Sequence, residues 1–134
     1  MTDAHVIELD PDPYRQFYIS QGFRVGDLVF LSGQVPITEE GAIIEGDFDT
    51  QADATFRNMK RVLEAAGSSL ENVIKVTVFL TDMKADRTKI MALRQKWFTP
   101  PYPADTLVEV TALGDPSRRL EIEAIALVNG KVIR

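Results

Sequence analysis

Apolar residues recur at spacings of three and four along two stretches of the chain, as expected for helices with one buried face. The first stretch, residues 49–67 (DTQADATFRNMKRVLEAAG), ends at Gly67, a residue type that commonly terminates helices. The second, residues 84–98 (KADRTKIMALRQKWF), is followed by Pro100 and Pro101, which favour the end of a helix. The apolar stripes are Phe56, Met59, Val62, Leu63 and Ala66 in the first stretch and Ile90, Leu93 and Trp97 in the second. The sequence therefore predicts two amphipathic helices, with Trp97 as a core residue.

The segments around these helices are rich in β-branched and aromatic residues and are bounded by turn residues, which is typical of strands. The predicted strands are residues 26–35 (GDLVFLSGQV), 72–80 (NVIKVTVFL), 105–110 (DTLVEV), 118–128 (RRLEIEAIALV) and a short tail, 131–134 (KVIR). Residues 16–25 (QFYISQGFRV) are predicted to pair with the strand after Gly26 as a hairpin. This order of elements predicts an α+β sheet with both helices packed on one face.

Two of the predicted strands are apolar on both faces. Val76 and Val78 point to one side of their strand and Phe79 to the other, and Ile125 lies opposite Ile122 in the last long strand. Two helices on one face cannot cover both sides of such a sheet. We therefore expect other copies of the chain to cover the second face in a homo-oligomer.

Composition narrows the class of protein. The 134 residues fit a single domain, 1–134, with a short flexible N-terminal segment of about residues 1–12. The absence of cysteine excludes disulfides, thiolate metal sites and a cysteine nucleophile, and it fits a reducing compartment. The single histidine, His5, excludes a histidine-based triad or a multi-histidine metal site within one chain.

Charge and hydropathy argue against two kinds of partner. The net charge is −5 and the chain has no long basic block, so binding to nucleic acid is not expected. The chain also lacks an apolar run of the roughly 20 residues that span a bilayer, and its N-terminus lacks the layout of a signal peptide. We expect a soluble cytoplasmic protein without a membrane partner.

Two short motifs could carry chemistry. In residues 31–36 (LSGQVP), Ser32 offers a hydroxyl, and Gly33 would let a ligand approach the backbone or would simply form a bulge and turn. In residues 120–124 (LEIEA), Glu121 and Glu123 share one strand face. A carboxylate there lies at a wetted or arginine-paired sheet margin, or in a cavity where it handles a proton. Glu123, like Glu109 on a neighbouring strand, is interpreted as structural. No nucleophile has an adjacent base, so a carboxylate that positions a water is the remaining route to catalysis.

Together, VGDLVFLSGQVP, NVIKVTVFLTDM, PYPADTLVEVTAL and LEIEAIA, in this order, resemble the RidA/YjgF reactive intermediate deaminase family, also labelled endoribonuclease L-PSP. The resemblance covers residues 14–128. It implies a chorismate-mutase-like protomer with a mixed sheet, a homotrimer with ligand clefts between subunits, and no metal or organic cofactor. Active members of the family hydrolyse enamines and imines, such as 2-aminoacrylate, to keto acids and ammonia.

The resemblance also assigns roles to residues. The water-positioning glutamate of the family falls at Glu121, and the serine and glycine of its cleft fall at Ser32 and Gly33. Leu107 falls among the substrate-binding positions, and Ile19 stands where the deaminases have a tyrosine.

The chain departs from the deaminases most clearly at Asp105, which replaces the arginine that grips the substrate carboxylate. Two like charges about 4 Å apart at an effective dielectric near 20 repel by roughly 4 kcal/mol, whereas an arginine would attract by a similar amount. Unless a neighbouring subunit supplies a cation from Arg24, Arg87, Arg94 or Arg119, we expect a ligand other than 2-aminoacrylate. Asp105 would then accept hydrogen bonds from an amine or hydroxyl of that ligand.

Three functions remain open at this point. The first is hydrolysis of an enamine or imine by a water that Glu121 positions. The second is a trimer that binds a small molecule without catalysis and serves in regulation. The third, ribonuclease or translation inhibitor, is the least favoured because the chain is acidic and has no histidine pair.

Overall fold

A computed structural model of the protein describes residues 2–134. The strands are β1 (Ala4–Val6), β2 (Gly22–Val25), β3 (Leu28–Gln34), β4 (Val73–Leu80), β5 (Ala104–Glu109) and β6 (Leu120–Leu127), and the helices are α1 (Phe48–Ala65) and α2 (Met83–Trp97). They form one six-stranded sheet in the order β1-β2-β3-β6-β4-β5, in which the β4–β5 pair is parallel and the other pairs are antiparallel. The predicted α+β class, with a mixed sheet and both helices on one face, is confirmed.

Carboxylates fix the beginnings of both helices. Asp47 accepts a hydrogen bond of 2.8 Å from the backbone N–H of Thr50, and Asp82 accepts one of 3.0 Å from Ala85. A carboxylate at a helix N-terminus satisfies a free backbone donor and complements the helix dipole. Glu109 adds a third such contact, because it accepts from the N–H of Met83 at 3.0 Å. The structural role predicted for Glu109 is thus explained by its place at the start of α2.

The core lies between the helices and one face of the sheet. Along β6, Leu120, Ile122, Ala124 and Ala126 are buried against the helices, and Glu121 and Glu123 lie on the opposite face. The structure therefore confirms the alternation of buried and outward-facing residues that the sequence of this strand predicted. Trp97 is a core residue, as predicted, since its ring stacks on that of Phe56 at 5.3 Å between centroids.

The face of the sheet away from the helices carries an apolar row. Val6, Phe23 and Phe30 lie opposite one another on three adjacent strands, and their side chains are 45%, 41% and 42% exposed. Ile125 continues the row on β6, where it pairs with Phe30. A contiguous apolar row of this kind is the second apolar face that the strand patterns predicted.

Three details differ from the sequence-based expectations. Within the N-terminal segment that was expected to be flexible, β1 pairs with β2, and Ile7 and Leu9 are buried. The hairpin with β3 begins only at Gly22, and Arg15–Phe17 form a short 3-10 helix. The tail 131–134 is not a strand. In the described part of the chain, neither helix combines the length and apolarity needed to cross a membrane.

Candidate functional site

The segment Ser32–Gly33 forms an irregularity in β3. The register between β3 and β6 shifts between Leu31 and Gln34, so the two intervening residues leave the regular ladder. Their polar groups are held from the other side, where the hydroxyl of Ser32 donates to the carbonyl of Ser20 at 2.6 Å. The segment is therefore a bulge, and the same two residues also line a cavity, so the two interpretations of this motif are compatible.

Gly33 makes room for the carboxylate of Glu121. A Cβ atom added at Gly33 would overlap the Oε2 atom of Glu121 and would lie 2.8 Å from its Cδ atom. Any other residue at this position would displace the Glu121 side chain. A glycine is thus required here so that the Glu121 carboxylate can lie against the backbone of residue 33. The motif that contains Gly33 and the motif that contains Glu121 are therefore in direct contact.

These residues open onto a cavity of about 600 Å³. The polar part of its lining comprises Tyr14, Ser32, Asp115, Arg118 and Glu121, and the apolar part comprises Phe17, Ile19, Val35, Ile37 and Ile43. A mainly apolar pocket with a few convergent polar groups is the usual form of a small-molecule site.

Burial makes the Glu121 carboxylate unusual. Burial raises the pKa of Glu121 above its ordinary value of 4.5, the nearby charge of Glu123 raises it further, and the positive charge of Arg118 opposes both effects. A carboxylate with a raised pKa can exchange protons with a reacting molecule nearer to neutral pH, which suits general acid–base work.

Tyr14 reaches the same cavity from the loop before the 3-10 helix. Its hydroxyl donates to the carbonyl of Gly33 at 2.5 Å, which helps to fix the bulge. Burial, followed by the negative charge of Glu121, raises the pKa of Tyr14, so the phenol stays protonated and acts as a donor. Sequence analysis missed Tyr14 because its position depends on a turn that carries no periodic signal.

From the sequence alone, Arg118 is one of the cations that could pair with a carboxylate at the sheet margin. In the structure its half-buried side chain lines the cavity together with Glu121. Its place two residues before the start of β6, and three residues before Glu121, is the sequence signal that could have found it.

The structure brings together four of the predicted site residues. Ile19, Ser32, Gly33 and Glu121 line the single cavity described above.

Asp105 and Leu107 do not join this cavity within one chain. They pair with Val76 and Val78 of β4, whose side chains are buried on the helix side, and Leu107 packs against the core. Residues paired in register share a sheet face, so Asp105 and Leu107 point away from Glu121. A contribution of either residue to a Glu121 cavity requires a second copy of the chain.

Asp105 has a cationic partner within its own chain. The guanidinium of Arg94 binds the Asp105 carboxylate through two hydrogen bonds, each of 3.0 Å. This bidentate pair joins α2 to β5 and neutralises Asp105 within its own chain. The sequence could not show the pair, because it depends on how α2 lies across the edge of the sheet.

Comparisons with known proteins agree with this picture. A family model described as endoribonuclease L-PSP matches residues 10–128. A RutC family protein of Pyrococcus horikoshii is 43% identical over 127 residues, which cover 94% of this chain and 98% of that protein. TdcF of Escherichia coli K12, a putative reactive intermediate deaminase, is 37% identical over 110 residues, covering 80% and 84% of the two chains. The crystal structure of E. coli TdcF with bound serine is similar, with a TM-score of 0.81 and 35% identity over 91% of this chain and 97% of that one.

Proposed function

Because this chain belongs to the RidA/YjgF family of endoribonuclease L-PSP-like proteins, we propose that it hydrolyses an enamine or imine metabolite to a carbonyl compound and ammonia. The proposal depends above all on one observation. The Glu121 carboxylate, with its raised pKa, lies against the backbone of Gly33 inside a cavity large enough for a small metabolite. A carboxylate in this setting can orient a water molecule and take a proton from it.

The proposed reaction consumes one water molecule. Glu121 takes a proton from the water as the water oxygen bonds to the carbon of the C=N group, and it passes this proton to the imine nitrogen, which receives the electron pair of the broken π bond. In the resulting carbinolamine, Glu121 takes the hydroxyl proton and passes it to the amine nitrogen as the C–N bond breaks, so that ammonia leaves with that electron pair and a C=O group forms. An enamine enters this sequence after protonation of its carbon, which converts it to the imine. Glu121 ends in its starting ionisation state, as a catalyst must.

The similarity to TdcF supports this reaction class, since that protein is named a putative reactive intermediate deaminase. Position 105 carries an aspartate bound to Arg94, and position 19 carries an isoleucine in the cavity wall. These two departures from the deaminase pattern favour a substrate other than 2-aminoacrylate. No metal or organic cofactor enters the proposed steps.

The proposed active form is a homotrimer in the cytoplasm, with clefts between subunits. The apolar row of Val6, Phe23 and Phe30 supports self-association, because monomeric proteins rarely expose a large contiguous apolar patch. Asp105 and Leu107 lie on the helix side of the sheet and could reach a Glu121 cavity only from a neighbouring copy in such an assembly. The absence of cysteine fits a reducing compartment.

The test is an assay of imines made in place by an amino acid oxidase, with catalase present and ammonia and keto acid as readouts. We expect the protein to accelerate hydrolysis and Glu121→Gln to lower the rate by about a hundredfold or more, as for loss of a general base. Glu123→Gln is the matched control, because Glu123 lies on the same strand and face but is exposed, and it should keep most of the activity. No acceleration across the panel, or full activity in Glu121→Gln, would contradict the proposal.

Binding without catalysis is a second candidate, favoured by one observation. The similar TdcF structure holds serine, an amino acid without a C=N bond. Ligand-induced thermal stabilisation without turnover would support this function in place of hydrolysis. Cleavage of RNA is not proposed, since the net charge is −5 and His5 is the single histidine.

A further inference from the structure

Arg118 is a cation in the lining of the Glu121 cavity, and it forms no ion pair with any other residue that the structure describes. Seven ion pairs within 4.0 Å join residues in the range 2–134, and Arg118 takes part in none of them. Its guanidinium nitrogens are therefore more than 4.0 Å from the carboxylate oxygens of Glu121. The carboxylates of Glu121 and Asp115 lie near enough to feel the charge of Arg118, but neither is within 4.0 Å of its guanidinium. A half-buried guanidinium without an anion in contact can bind an anionic ligand directly.

The backbone around Arg118 is fixed by buried polar side chains. The side-chain amide of Gln51, which is fully buried, donates to the carbonyl of Ser117 at 2.7 Å and accepts from the N–H of Arg119 at 2.7 Å. Arg119 in turn forms a bidentate pair with the fully buried carboxylate of Asp86, at 3.0 and 2.7 Å. These contacts hold the residues on both sides of Arg118. Its side chain therefore starts from a rigid support, which lowers the entropy cost of binding.

The neighbouring loop shapes the other side of the guanidinium but forms no ion pair with it. A Cβ atom added at Gly114 would lie 3.0 Å from Nη1 of Arg118, so the guanidinium packs closely against this glycine. The carboxylate of Asp115 is engaged by Ser117, through its N–H at 2.9 Å and its hydroxyl at 2.5 Å. Asp115 thus shapes its own loop, and the donors of Arg118 remain available to a ligand.

We propose that Arg118 binds the carboxylate of the substrate and that the apolar wall of the cavity binds its side chain. The substrate class is then a 2-imino or 2-enamino acid with an apolar side chain. This inference rests on the proposed function. In such a molecule the carboxylate is bonded directly to the carbon of the C=N group. An arginine in the Glu121 cavity would therefore hold the reacting carbon beside the catalytic carboxylate.

The wall opposite the polar groups sets the side-chain preference. Phe17, Ile19, Val35, Ile37 and Ile43 form its apolar surface. The side chain of 2-aminoacrylate is a single methylene group, which would leave this surface uncovered. Each further methylene that a substrate buries should improve binding by about fourfold. Imines derived from leucine or phenylalanine should therefore be used more efficiently than 2-aminoacrylate.

Calorimetry on the intact protein tests the anchor without requiring turnover. The probes are 4-methyl-2-oxopentanoate, the keto acid that corresponds to leucine, and its neutral methyl ester. Arg118→Gln should weaken keto acid binding by about tenfold to a hundredfold, the loss expected for charge-assisted hydrogen bonds, and should change ester binding little. Arg57→Gln is the control with the same charge change, because Arg57 is exposed on α1, and it should bind both probes like the wild type.

The outcomes separate this inference from the proposed function. Keto acid binding that depends on Arg118, with no imine turnover, would retain the anchor and remove the enzyme activity. Imine turnover with keto acid binding unchanged in Arg118→Gln would retain the activity and overturn the anchor. Failure of the wild type to bind the keto acid would also overturn the anchor. Thermal unfolding of Arg118→Gln should match that of the wild type, because Arg118 forms no ion pair among the described residues.

Discussion

Glu121 and Gly33 form one unit, although each was found through a different sequence pattern. The alternation in LEIEA predicted that Glu121 faces away from the core, and LSG predicted a place where the backbone can be approached. The structure shows that what approaches Gly33 is the carboxylate of Glu121 itself. The direction of the side chain was therefore predictable. Its burial, and the resulting pKa shift, depend on packing from distant segments.

The raised pKa of Glu121 predicts how stability changes with pH. The folded chain holds the Glu121 proton to a higher pH than the unfolded chain, where the carboxyl ionises near its ordinary value of 4.5. Ionisation therefore costs the folded state stability as pH rises from below 4.5 through the raised pKa. Glu121→Gln removes this cost, so its stability advantage over the wild type should grow as pH rises across that window.

Urea unfolding at a series of pH values and a fixed protein concentration measures this difference. Arg57→Gln serves as a control whose difference from the wild type should stay constant, because arginine remains charged throughout. A Glu121→Gln advantage that is constant, or that shrinks with rising pH, would show that the carboxylate is not held in a desolvated environment.

At the scale of elements, the sequence predicted the helices and strands in which apolar residues recur periodically. It missed the short strand that is defined only by its pairing with a neighbouring strand. Both helices and the long strands follow from apolar spacing. The three-residue strand β1 is defined by its pairing with β2 and has too few residues to show a pattern. The tail 131–134 was wrongly predicted as a strand, because β6 pairs on both edges, with β3 and β4, and leaves no edge for a further hairpin strand.

The Arg94–Asp105 pair should contribute measurably to the packing of α2 against β5. Both side chains are partly shielded, at 34% and 20% exposure, and the contact is bidentate. Measured couplings of exposed pairs are about 0.2–1 kcal/mol, and this geometry favours the upper end, about 1 kcal/mol. A double-mutant cycle of Arg94→Ala and Asp105→Ala, read by urea unfolding, measures the coupling.

The pair Lys60–Glu64 on α1 is the comparison for that cycle. Its charged atoms are 3.9 Å apart and both side chains are more than half exposed, so its coupling should be about 0.3–0.5 kcal/mol. A coupling for Arg94–Asp105 that is smaller than this value would mean that the pair does not neutralise Asp105 in solution. The sign change at position 105 would then again bear on ligand choice.

At the scale of the whole molecule, the sequence predicted the fold class and an uncovered sheet face, but not the cavity. The cavity is built from residues of three separate segments, around 14–19, 32–43 and 114–121. Their meeting depends on the β3 bulge and on the loop that Gln51 and Asp86 hold. The resemblance to a family named Glu121, Ser32 and Gly33. Arg118 lies outside the positions that the resemblance named, and the packing of the chain places it in the cavity wall.

The apolar row on the open sheet face predicts how assembly responds to mutation. Phe30 lies in the middle of the row, between Phe23 and Ile125, and its side chain is already 42% exposed in the single chain. Phe30→Asp should therefore leave the protomer folded, because the side chain faces away from the helix-side core. It should nevertheless prevent copies from packing over the row, since an aspartate buried there would lack a partner.

Sedimentation should give the wild type a mass three times the 15.0 kDa of one chain and Phe30→Asp a mass of one chain, with near-native circular dichroism. Met91→Asp is the matched control, because Met91 is exposed on α2 rather than on the open sheet face, and it should remain trimeric. If imine hydrolysis also requires a neighbour to close the cavity, activity should fall with the trimer in Phe30→Asp and persist in Met91→Asp. A trimeric Phe30→Asp protein would place the subunit interface elsewhere and would leave the apolar row without the role assigned to it.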